Sequence, residues 1–310
     1  MVLAQYLLSF REVFEAALLS AIILAFLVAT NRAHLTRYAW YGIYGAVAAS
    51  FALGGAIWLA YGTLTKAHQV LFEGVAALIA VAVLTSMIIW MATKGRALKS
   101  EVEGRVEKAV TQGTILALAS LTFVLVFREG LETVLFLTPF LVQDAVGTII
   151  GAVLGAAFGI GLSFAIFRVG LKLDLRKFFF VTSALLVLLA GGLLGYGVHE
   201  LIEYAEIQNV DLGWWATSAY NLGLSAGNPA AGIAPDPFHH KGYIGSIFAV
   251  LFGYSQDPEW GRVTAHLVYL AVALPLMIGA YKPAWFTAFV NRVRSAFRPA
   301  PGSLPKTGDE

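Results

Sequence analysis

The chain has 310 residues, 58% of them hydrophobic and 13% charged, and its mean hydropathy is +0.74. This balance excludes an ordinary soluble domain and points to a polytopic membrane protein without an attached polar catalytic domain. The absence of cysteine excludes disulfides and thiolate metal sites, and the net charge of +2 says less than its distribution along the chain.

A membrane-spanning helix needs about 20 mostly apolar residues. In chain order, such segments are predicted at 3–29, 39–62, 70–92, 112–137, 147–168, 178–202 and 263–281. The first lacks the positive flank and cleavage pattern of a signal peptide, so it is expected to be retained. Residues 96–109 carry both signs of charge and predict a solvated helix or loop. Residues 243–253 are apolar but too few to cross, and predict a re-entrant or interfacial helix. Leu304-Pro305-Lys306-Thr307-Gly308 matches a sortase sorting pattern without the apolar tail that such a signal needs.

The predicted class is all-α with seven transmembrane helices. The division is a first repeat over 1–92, a cytoplasmic loop over 93–111, a second repeat over 112–203, an outer loop over 204–262, a seventh span over 263–281 and a cytoplasmic tail over 282–310. Alternate loops hold sixteen of the 21 Lys and Arg residues, while the opposite side has only Lys66, Lys241 and Arg262. The positive-inside rule therefore places the N-terminus outside and the C-terminus in the cytoplasm. Trp214, Trp215, Tyr220, Trp260 and Tyr281 fit interfacial aromatic belts.

Two charged motifs interrupt the apolar runs. Segment one carries Phe10-Arg11-Glu12-Val13-Phe14-Glu15, and segment four carries Phe127-Arg128-Glu129-Gly130-Leu131-Glu132. Each reads R-E-x-x-E. A charged side chain at mid-membrane costs about 2.5 kcal/mol or more, so six in two matched sets imply that charge is held or moved inside the membrane. On a helix the two glutamates of a motif share a face, and the arginine lies four residues before the second. Facing each other, the two helices offer Glu12, Glu15, Glu129 and Glu132 as an oxygen-rich metal cage, with Arg11 and Arg128 as supporting ion pairs. Oxygen ligands suit hard cations, and ferric iron is harder than the common divalent ions. The competing reading of a single copy is a structural ion-pair knot.

The motifs match at an offset of 117. Gly45-Ala46-Val47 matches Gly151-Ala152-Val153 at 106, where Phe72 and Val75 also meet Phe178 and Val181. Three spans per copy is an odd number, which predicts an inverted-topology repeat of the kind secondary transporters use. The predicted outer face has nine acidic residues against three Lys and Arg, which concentrates cations. Its mouth is assigned to Glu73 at the opening of segment three, to His199, Glu200 and Glu203 ending segment six, and to Asp236, His239 and His240 in the outer loop.

Two R-E-x-x-E motifs on the first and fourth of seven helices, with Arg128-Glu129-Gly130-Leu131-Glu132 as the more specific copy, resemble the oxidase-dependent iron permease family. Residues Gly242–Tyr254 also look like the segment before that family's last helix. The resemblance covers about 1–281 and implies inward iron transport, with the motif glutamates contacting iron as substrate and no bound cofactor. It also implies a separate ferroxidase or periplasmic iron-handling partner in a bacterial cytoplasmic membrane, and no nucleic-acid partner. Val13 stands where the second copy has Gly130, which the resemblance leaves as a difference in how closely helix one is approached. The alternatives are a transporter of lead or manganese and a membrane carboxylate-metal oxidase. The oxidase reading lacks the Glu-x-x-His pattern usual in such enzymes.

Overall fold

The computed structural model describes residues 2–94, 98–111, 115–170, 173–227, 234–240, 242–282 and 287. Arg96, Lys172, Lys241, the tail beyond 287 and its Leu304–Gly308 pattern lie outside the described residues. The helices are α1 Leu3–Ala29, α2 Thr36–Gly62, α3 Lys66–Lys94, α4 Leu98–Thr111, α5 Ile115–Gln143, α6 Ala145–Phe164, α7 Leu175–Ile207, α8 Tyr243–Phe252 and α9 Trp260–Tyr281. Among the described residues the only β pairing is an isolated bridge between Ser218 and Glu259.

Six of these helices are long and apolar enough to span a membrane. α5 has a spanning length too, but Arg128, Glu129 and Glu132 cluster at its centre and interrupt its apolar run, whereas the five charges of α7 lie at its two ends. The chain is an all-α, multi-pass membrane protein. α1 has its expected bounds, while α2, α3, α7 and α9 start three or four residues before the expected segments, because an apolar window stops at the first polar residues whereas the backbone ladder continues past them. Asp144 caps α6 by accepting from the Gly147 N–H, and Asp174 caps α7 by accepting from Arg176 and Lys177. α3 begins at Lys66, so Glu73 does not open it but lies two turns inside. His199, Glu200 and Glu203 likewise precede the end of α7.

The charged segment near 100 is the amphipathic helix α4, which buries Val102, Val106 and Ala109 and packs on α1 and α5. Arg32 ties the α1–α2 turn to it through a 2.8 Å ion pair with Glu107. α8, ten residues long, spans about 15 Å and cannot cross. It ends at Gly253, whose φ of +63° is the left-handed cap that favours glycine. Tyr281, expected in an aromatic belt, is buried instead, with its hydroxyl 3.1 Å from Ser183 Oγ.

The packing follows a pattern. α1 packs chiefly on α6, α2 on α5 and α3 on α7, and α1 crosses α5. Exchanging α1 with α5, α2 with α6 and α3 with α7 maps this set of pairings onto itself. Glycines let two of the pairs approach closely. A Cβ on Gly151, Gly155 or Gly159 of α6 would strike the backbone of α1, and one on Gly42 of α2 would strike that of α5.

Candidate functional site

The crossing of α1 and α5 sets the two motifs face to face. Arg11 Nη1 donates to Glu12 Oε1 at 3.0 Å, and its Nη2 lies 2.9 Å from Glu15 Oε1. The same guanidinium donates to the Met87 sulfur of α3. On α5, Arg128 Nε donates to Glu132 Oε1 at 2.8 Å, and its guanidinium carbon stands 4.9 Å from the centre of the Trp90 ring. Both arginines therefore rest on α3, at positions one turn apart. Their surroundings differ: the Arg11 side chain is 1% exposed and that of Arg128 is 46% exposed.

All four glutamates are buried. One carboxylate oxygen from each of Glu12, Glu15 and Glu129 lies within 4.8 Å of the other two, which joins both motifs in one cluster. Glu132 is buried nearby but does not belong to this trio. The Oε2 atoms of Glu12, Glu129 and Glu132 are buried without hydrogen-bond partners among the described residues. Such atoms are costly to leave unmatched, and a hard cation satisfies them. Two guanidiniums against four carboxylates leave a formal charge of −2.

A cavity of about 620 Å³ opens at the end of the bundle where α1 begins. Gln5, Glu73, His199, Glu200, His240 and Arg262 line it. Gln5 precedes Glu12 by seven residues, about 10 Å along α1, so the cavity lies on the approach to the carboxylate cluster. Glu73 is held from both sides: Tyr61 of α2 donates to Oε1 at 2.6 Å, and Tyr196 of α7 donates to Oε2. His199 Nδ1 meets Glu259 Oε1 at 2.7 Å. Burial pushes the Glu259 carboxyl up, but the hydrogen bond and charge of His199 outweigh it and hold the carboxyl below its usual range. His199, Glu200 and Glu203 also offer ligand atoms within 4.8 Å of one another.

The structure thus brings Glu73, His199, Glu200 and His240 to one cavity, with Glu203 beside it. Asp236 and His239 are not among the lining residues. Asp236 accepts from the Ser225 N–H at 2.7 Å, and His239 is buried with its carbonyl accepting from Gly242, so both organise the loop. Tyr61, Tyr196, Met87 and Trp90 escaped the sequence reading, which counted Glu259 and Arg262 only among the charges of the outer face. Nothing in their local spacing marks them, and only the packing of α2, α3, α7 and α9 assigns them partners.

The model of the iron permease FTR1 family matches residues 2–282. An uncharacterized protein of Archaeoglobus fulgidus is 44% identical over 279 residues, covering 90% of this chain and 95% of its own. The ferrous iron permease EfeU of Yersinia pestis is 32% identical over 277 residues, covering 87% and 91%. The ferrous iron permease EfeU of Escherichia coli O157:H7 is 31% identical over 287 residues, covering 89% and 96%. No solved structure matches the chain. With the family model matched from end to end of its membrane helices, this multi-pass membrane protein belongs to the iron permease FTR1 family.

Proposed function

We propose that the chain carries iron inward across the cytoplasmic membrane through the cage formed by its two R-E-x-x-E motifs. The observation that carries this reading is the buried trio of Glu12, Glu15 and Glu129, drawn from both motifs into one cluster. Iron enters the acidic cavity, sheds water, is held by Glu12, Glu15, Glu129 and finally Glu132, and leaves toward the cytoplasm when the two repeats rock. The exchangeable pairing of α1–α3 with α5–α7 supports an inverted repeat as the moving framework, with α9 as the seventh span. An inside-negative potential favours inward movement by about 2.3 kcal/mol per charge per 100 mV. A separate ferroxidase or periplasmic iron-handling protein delivers the ion at the cavity.

The oxygen-only donor set supports ferric iron as the ion held. A second reading has ferrous iron there: a divalent ion neutralises the formal −2 of the cluster, and the Yersinia and Escherichia relatives are named ferrous iron permeases. The test is radioactive iron uptake into proteoliposomes, with and without ascorbate, against lead and manganese as competitors. Uptake lost in Glu12→Ala and Glu129→Ala at equal incorporation supports the cage. Normal uptake in both refutes it, and metal-dependent oxygen consumption without uptake favours the carboxylate-metal oxidase.

A further inference from the structure

The two halves of the cage are not in the same state. Glu12, Glu15 and Glu129 already converge, whereas Glu132 stands outside the trio with its Oε1 held by Arg128. The two arginines differ in the same sense. Arg11 is enclosed between two carboxylates and Met87, while half of the Arg128 side chain is exposed midway along α5. A bare guanidinium in hydrocarbon is expensive, and the Trp90 face covers this one. Glu132 Oε2 is unpartnered, but the carboxylate is held outside the trio through Oε1, so moving it onto the ion draws Oε1 away from Arg128 and the arginine then needs another partner.

We propose that Trp90 is a positioning residue that holds the Arg128 guanidinium against α3 while Glu132 changes partner from Arg128 to the iron. The inference rests on the cage reading above. The ring face lies 4.9 Å from the guanidinium carbon while the Glu132 bond is still made, so the exchange breaks one contact and keeps the other. Trp90 lies one turn beyond Met87, which meets Arg11, so α3 steadies both motif arginines through uncharged side chains that do not compete for the cation. The second motif is then the half that closes, and the first is the preset half.

The test is equilibrium iron binding to the purified full chain, with thermal unfolding as a control for folding. Trp90→Leu removes the aromatic face and should weaken binding about threefold to tenfold, whereas Trp90→Tyr keeps a face and should stay within about threefold of the parent. Trp90→Met replaces Trp90→Leu if the latter does not fold. In a Glu132→Gln background, where the exchange no longer delivers a carboxylate, the Leu effect should vanish. Equal affinities in the Leu, Tyr and parent chains overturn the proposal, as do equal losses in Leu and Tyr, which indicate packing alone. Glu129→Ala separates the layers. Unchanged binding in that variant means the cage itself is misassigned, while loss there with a silent Trp90→Leu refutes only the role of Trp90.

Discussion

Gly42 of α2 and Gly151 of α6 occupy matching places in two similar helix crossings, α2 on α5 and α6 on α1. A Cβ on Gly151 would stand 2.7 Å from the Val2 carbonyl, beside Gln5 and Tyr6, and one on Gly42 would meet Ala119, Thr122 and Phe123. Val2, Gln5 and Tyr6 each stand 117 positions before their counterparts on α5, which is the offset of the charged motifs. The glycines themselves are 109 apart, so the equivalent of Gly151 is Gly42 and not Gly45, the pairing expected at 106. A run rich in Gly and Ala offers several registers to a sequence comparison, and backbone approach selects one. The same mapping explains Val13 opposite Gly130. At one crossing Gly159 of α6 admits the backbone of α1, and at the other Gly130 of α5 admits Ser50 of α2. The small residue has changed sides, and α1 is approached closely all the same.

Gly42→Ala and Gly155→Ala should therefore each destabilise the folded chain by about 1–3 kcal/mol, the usual cost of overpacking a close crossing. Gly55→Ala and Gly161→Ala meet open space and should be near neutral or slightly stabilising. Thermal unfolding midpoints in detergent compare the four. Equal midpoints would mean that the crossings relax freely.

The arginines should not be equivalent. Arg11 is enclosed by Glu12, Glu15 and Met87, so Arg11→Ala leaves buried carboxylates uncompensated, at a cost of about 3–5 kcal/mol. Arg128→Ala removes a half-exposed group with one carboxylate partner and should cost clearly less. Lysine keeps the charge but loses the fork, so Arg11→Lys should also lose more uptake than Arg128→Lys, because only Arg11 reaches two carboxylates at once. Yield, unfolding midpoint and iron uptake read the order. A reversed order would show that the exposed motif carries the site.

Length and apolarity made the long helices legible, and the cost of charge in hydrocarbon made both motifs legible before any contact was known. That cost also singled out Glu12, Glu15 and Glu129. What stayed hidden depends on which helices touch. Two tyrosines on α2 and α7 converge on Glu73, and Glu259 reaches His199 across 60 residues. Asp236 and His239 carry metal-ligand chemistry in their side chains, yet the loop uses one to accept from the Ser225 N–H and buries the other. Residue type signals capacity, and packing decides its use.

The Asp144 cap should give the chain an acid-sensitive contribution. The Gly147 N–H holds its carboxyl below the usual aspartate range of about 4. A group whose folded pKa is depressed contributes stability above its unfolded value and loses it as pH falls through the folded one. Asp144→Ala should cost about 1 kcal/mol near neutrality, and Asp144→Asn should keep most of the cap while flattening the dependence below about pH 4. Unfolding midpoints between neutral and acid pH check both. A parent and an Asn variant that run parallel throughout would place the acid loss elsewhere.

The acids of the cavity should govern capture more than turnover. Glu73 and Glu200 line its wall together with Gln5 of α1, and Glu203 clusters with Glu200, so these acids lie in the cavity rather than in the cage. Exchanging all three for glutamine removes attraction worth about 1 kcal/mol each, so half-maximal uptake should need several times more iron while the maximal rate changes less. Salt should divide them. Glu73 and Glu200 are buried, with Glu73 fixed by two tyrosine hydroxyls, and buried charges are weakly screened. Glu203 is the more accessible of the three, so the parent's loss of apparent affinity at high salt should shrink in Glu203→Gln and persist in Glu73→Gln. Tyr61→Phe with Tyr196→Phe frees the Glu73 carboxylate and should shift half-saturation without abolishing uptake. Uptake kinetics at two salt concentrations separate these outcomes. A collapse of the maximal rate with unchanged half-saturation would put Glu73 and Glu200 on the essential path of the ion, and the separation between cavity and cage would fail.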